Sequence, residues 1–135
     1  MRRVLAVAGS ATLFVAGIAS IPFASQRAAQ MSTVMVHCPN GNAAAFVTPP
    51  TITIAVGDTI EWRMTGQVTS DSLGISLKNS EQAWPFAGPL PKGTTGARTG
   101  SARAKGTYGY NVHLQCRLPG GGTESVTIDP DIIIE

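Results

Sequence analysis

His37, Cys38, His113 and Cys116 are the side chains of this sequence with the most chemistry to offer. Together they make a Cys₂His₂ set, and thiolates with imidazoles are donors that zinc or copper accepts. Their spacing works against convergence. Side chains of a strand alternate between faces, so adjacent His37 and Cys38 point to opposite sides, as do His113 and Cys116 three positions apart. All four would meet only if both strands broke their pleat. The competing chemistry is oxidation: the two cysteines of an exported chain are expected to pair as a disulfide, Cys38 to Cys116, leaving both histidines as polar surface. Such a link closes a long loop and is worth roughly 4 kcal/mol in the chain-entropy account.

Other chemistry is thinly represented. There is no G-x-S-x-G elbow, no H-E-x-x-H and no helix-borne carboxylate pair, so no enzyme activity is expected. Asp58 follows Gly57 and is explained by turn preference. Glu124, Asp129, Asp131 and Glu135 form a loose acidic end around Pro130, read as solvated rather than calcium-binding.

The N-terminus bears on the compartment. Arg2 and Arg3 precede an apolar run from Val4 to Ala19, and Pro22, Ala24 and Ser25 supply a cleavage region, the pattern of a secretory signal helix over residues 1–24. Periplasm, cell envelope and medium all fit. Left uncleaved, the run would anchor the domain instead, although Gly9, Ser10, Thr12, Gly17 and Ser20 dilute it below the ~18 apolar residues of a span. Residues 25–30 are expected to be a disordered start and residues 31–135 one β-domain, with no stable membrane insertion after cleavage. Without Arg2 and Arg3, the 10 Lys and Arg fall to 8, matching the 8 Asp and Glu. A neutral surface argues against nucleic acid as a partner.

The elements that must carry these residues are strands. Val34, Val36 and Cys38 alternate with polar neighbours until Pro39-Asn40-Gly41-Asn42 stops them. A short strand or turn precedes Pro49-Pro50. Thr51 to Val56 and Thr59 to Met64 alternate on either side of Gly57-Asp58, which predicts a strand pair, with Trp62 and Met64 in the core. Leu73, Ile75 and Leu77 mark another strand. Asn79 to Gly106 is too rich in Pro and Gly for a long helix, and Arg98 to Lys105 is expected as an irregular edge. In Gly106 to Cys116 the residues Tyr108, Tyr110, Val112, Leu114 and Cys116 share one face, and Glu124 to Ile128 reads as a closing strand. The expected fold is an all-β, antiparallel Greek-key sandwich in which the disulfide joins the first strand to the next-to-last.

Ile52 to Trp62 (I-T-I-A-V-G-D-T-I-E-W), with G-T-Y-G-Y-N-V, a loop and S-V-T-I behind it, resembles the cupredoxins, the plastocyanin and azurin type, over Met31 to Ile128. The resemblance implies a blue-copper site built from a mid-chain His, a Cys-x-x-His closing the next-to-last strand and a nearby Met. Here the Cys position falls on Val112, the second His on Gln115 and the Met near Gly120, while Thr69 to Leu73 holds no His. The sequence therefore reads as an exported, non-catalytic cupredoxin-like module without copper, with a binding or structural role. The alternative is a copper electron-transfer protein using His37, Cys38, His113 and Cys116. Contact with an unknown envelope or extracellular protein is expected, if anywhere, at Trp84 and Phe86 or at the apolar tail Ile132, Ile133 and Ile134, unless these pack on the domain's own core.

Overall fold

Each alternating run forms a strand in the computed structural model, which describes Gly17, residues 26–66 and residues 69–135. The segment expected as a signal helix, Gly17 aside, lies outside the described residues. Among those residues there are strands and no helix: β1 (Met31–His37), β2 (Phe46–Thr48), β3 (Thr51–Ile54), β4 (Thr59–Thr65), β5 (Ser70–Leu77), β6 (Lys92–Gly93), β7 (Gly96–Arg98), β8 (Gly106–Arg117), β9 (Thr123–Ile128) and β10 (Asp131–Ile134). Two sheets result, ordered β2-β1-β4-β7 and β3-β10-β8-β5-β6, with β9 pairing the second half of β8.

The sheets are mixed, which corrects the expected antiparallel arrangement. β1 lies parallel to β4, and β3 parallel to β10. The cause is a change of sheet. β2 pairs antiparallel with β1, and after Pro49-Pro50 the same run continues as β3 in the other sheet. The turn at Gly57 then reverses the chain, so β4 travels with β1 and lies beside it. Consequently β3 and β4 are not the expected hairpin: they belong to opposite sheets. Glycine suits that turn because Gly57 has φ of 96°.

Between the sheets lies the core. Val34, Val36, Ile60 and Trp62 face Ile52, Ile54, Tyr110, Val112, Leu114 and Ile132, all at most 6% exposed. Trp62 Nε1 donates to Tyr110 Oη at 3.1 Å, so one hydrogen bond ties β4 to β8 across the apolar interior, with the rings edge to face. An indole buried this deeply needs such an acceptor. The tail is also in the core. β10 is inserted between β3 and β8, burying Ile132 and Ile134 and half-burying Ile133. The domain's own sheet takes the tail because the alternation of Ile132 and Ile134 fits the face that Ile52, Ile54 and Tyr108 line. Phe86 is buried as well, and Trp84 packs against it at 5.0 Å between ring centroids. Phe86, Ile132 and Ile134 are therefore core residues and not a contact surface.

Candidate functional site

His37, Cys38 and Cys116 lie at one end of the sandwich and Asp58 at the other. β1, β4 and β8 finish at one end, and there Cys38 and Cys116 form the disulfide, with both side chains buried. Cys38 follows β1, and Cys116 continues the inward face of β8. The bond thus joins the first strand to the third from last, because the closing run is split into β9 and β10 at Asp129-Pro130. His37 and His113 do not join the cysteines. His37 stacks on Phe46 at 4.1 Å between ring centroids, against a cleft of about 200 Å³ that Thr65 and Gly66 also line. His113 lies on the outer face of the other sheet. Oxidation removes both thiolates from the Cys₂His₂ set, and among the described residues no three His, Cys, Asp or Glu side chains gather as a metal-binding group.

His113 has neighbours that no sequence motif announced. Its Nε2 lies 2.8 Å from Ser76 Oγ and its Nδ1 lies 3.3 Å from Thr127 Oγ1. A hydroxyl beside an imidazole that a third group orients is the geometry of an activated nucleophile. The setting differs from an active site in one respect that matters: the pair stands on the open face of β5, β8 and β9. Strand amides lie in the plane of a sheet, so they do not converge on an oxyanion above its face. On the same face Gln115 Nε2 donates to Ser125 Oγ at 2.6 Å and Arg117 pairs with Asp71, so the row is a polar ladder across strands. Beside Arg117, a second cleft of about 250 Å³ is lined by Asp71, Leu118, Gly121 and Gly122.

At the opposite end stands Asp58, which is 1% exposed. Its carboxylate accepts from Arg27 Nη1 at 2.8 Å and Nη2 at 3.1 Å, from the Gln30 amide at 2.8 Å and from the Ala55 amide at 3.0 Å. The Arg27 hydrogen bond, with the two amides behind it, outweighs burial and lowers the carboxyl from 3.8 to about 2. Turn preference alone therefore understates this residue. Residues 26–30 form no strand, and Arg27 and Gln30 within the segment are tied to Asp58. A buried Asp beside a Gly turn is a signal for such a clamp, but its donors lie 28 and 31 positions away in sequence.

No family profile matches the sequence, and no curated protein does. Among solved structures, the purple cupredoxin from Nitrosopumilus maritimus superposes with a TM-score of 0.45 at 18% identity, over 77% of this chain and 99% of that one. The reduced Cu(I) form of an amicyanin variant gives 0.40 at 16% identity, over 76% of this chain and 82% of the other. Both are cupredoxins. Neither bears on this chain's ligands, which its own residues decide. The positions that a blue-copper site would use do not fit the metal: Val112 is a fully buried aliphatic, Gln115 is spent on Ser125, and Gly120 has no side chain.

Proposed function

We propose that this protein is an exported, non-catalytic Greek-key module of the cupredoxin type that works without copper, in a binding or structural role. The observation that carries the proposal is the Cys38–Cys116 disulfide, which consumes both thiols of the sequence. Copper sites of the blue type need a thiolate, and the resemblance to cupredoxins assigns that position to Val112. Export is supported by the same bond, since disulfides persist in oxidising compartments. The non-catalytic reading is supported by the open sheet face on which Ser76 and His113 stand.

The test is copper loading of the native protein, with the cysteines followed by mass. The expected result is no thiolate-to-copper absorption, no free thiol before reduction and a gain of two protons after it. An intense visible band in the unreduced protein would overturn the proposal and restore the electron-transfer alternative. Export is tested separately by fractionating cells that carry a C-terminal tag; a chain found wholly in the cytoplasm, with its leader intact and its thiols reduced, removes that part.

A further inference from the structure

We propose that the outer edge of β9 is a self-association site, where two copies of this chain join by antiparallel pairing of Thr123–Ile128. Arg117 N donates to Thr69 O and Gln115 N to Ser70 Oγ, so the odd residues of β8 turn their amides toward β5. Their even neighbours Val112, Leu114 and Cys116 turn theirs toward β9, opposite Ile128, Val126 and Glu124. In an antiparallel ladder the remaining residues, Thr123, Ser125 and Thr127, point N–H and C=O away from β8. Among the described residues no other strand pairs β9 there.

The change of sheet explains why no described strand covers this edge. β9 and β10 run in one line along β8, interrupted at Asp129-Pro130, just as β2 and β3 run in one line interrupted at Pro49-Pro50. The two breaks are side by side, since Asp131 N donates to Pro50 O at 3.0 Å. On one side of them β3 covers β10; on the other, β2 has left to pair with β1, and β9 is uncovered.

The other edges carry protection that β9 lacks. β2 has 3 residues and runs into Pro49; β3 has 4 and follows Pro50. β6 has 2 residues, with Lys92 behind Pro91, and β7 has 3 with Arg98. Short length, Pro and cationic side chains are the means by which edges are kept from pairing. β9 has 6 residues, T-E-S-V-T-I, with no Pro, Lys or Arg among them.

A second copy fits this edge better than an arbitrary strand, because the edge is complementary to itself. Pairing through the outward residues places Ser125 opposite Ser125 of the second copy and Thr123 opposite Thr127. Glu124 then faces Val126, so no like charges stand directly opposite one another, and the hydroxyl pairs are favourable cross-strand neighbours. The two-fold arrangement uses both edges and closes, leaving none for a third copy.

The experiment is sedimentation velocity of the full, oxidised chain across a concentration series. The expected result is a monomer–dimer equilibrium. Ser125→Pro removes an outward donor that β8 does not use, a placement an edge strand tolerates, and the dimer is lost. Ser125→Lys and Ser125→Glu give a second route if the proline variant unfolds: each alone is monomeric through repulsion at the two-fold axis, and their mixture regains the dimer mass. A wild type that stays monomeric throughout overturns the proposal. So does a dimer that persists in all three variants, which would put the contact elsewhere.

Discussion

One end of the sandwich is closed by a covalent bond and the other by a buried charge. At the disulfide end, Cys38–Cys116 fastens β1 to β8 while the side chains around it stay open to solvent: Phe46 is 45% and Leu118 42% exposed. At the opposite end a single carboxylate holds the β3–β4 turn against the segment before β1, and it is sealed from water. The difference lies in what each closure responds to. A disulfide contributes through the length of chain it constrains and is indifferent to protons; a carboxylate contributes only while it is charged.

Breaking the covalent end should have the largest effect. Replacing Cys38 and Cys116 together with Ser releases a loop spanning 78 positions, and the chain-entropy account puts the cost at about 4 kcal/mol. Urea unfolding of the double variant measures it, and reductant on the wild type should reproduce it. A loss near zero would mean that packing alone closes this end.

Asp58→Ala breaks the other end. It strands the Gln30 and Ala55 amides and leaves Arg27 without its partner, an expected loss of about 3 kcal/mol. Acid sharpens the contrast. Because the folded carboxyl titrates near 2, below its ordinary 3.8, the charged form favours the fold. That contribution is complete above the ordinary value and is lost as pH falls through about 2. Acid unfolding should therefore soften the wild type in this window, and the alanine variant should lack that component, while the disulfide's share stays constant.

Between the ends, Tyr110→Phe removes the acceptor of Trp62 Nε1 and should cost about 1 kcal/mol, seen in the unfolding midpoint followed by tryptophan fluorescence. Burial pushes the Tyr110 phenol up to about 12 from 10.0. Its neutral form favours the fold, so that contribution is whole below about pH 10 and is lost as pH rises through about 12. The phenylalanine variant should be free of this alkaline component. The smallest effect belongs to Glu61, which accepts from Arg63 at 2.9 Å and Arg98 at 3.1 Å and whose carboxyl is lowered chiefly by Arg98. Both guanidiniums are more than half exposed. Water screens such a pair, so Glu61→Gln should leave the unfolding midpoint where it was. A shift as large as that of Asp58→Ala would break the distinction between a carboxylate held by buried amides and one held by exposed guanidiniums.

Alternation was a sound guide wherever one face is buried. Tyr108, Tyr110, Val112, Leu114 and Cys116 all turn inward in β8, as their spacing required, and Val34, Val36 and Cys38 do the same around β1. Alternation also put Cys38 and Cys116 on inward faces where they could meet. What it does not encode is which sheet a strand joins. Gly57-Asp58 signals a reversal, and a reversal serves a hairpin or a crossing between layers equally well. Pro49-Pro50 signals an interruption, and here the interruption is the crossing itself. The tail was ambiguous for a related reason: Ile132 and Ile134 require a cover, and only the parallel placement of β3 shows that the domain supplies it. The Asp58 clamp and the Ser76–His113–Thr127 row were illegible because their members are far apart in sequence and of types common on any surface.

The Asp58 clamp also settles where a recombinant chain should start. The first strand opens at Met31, an obvious point for truncation. A polypeptide begun there would be synthesised without the Arg27 guanidinium and the Gln30 amide, and its Asp58 would be enclosed with the Ala55 amide as its remaining donor. One begun at Gln26 keeps the whole set. Five residues that belong to no strand thus decide whether the purified domain is the native one or a weakened copy of it.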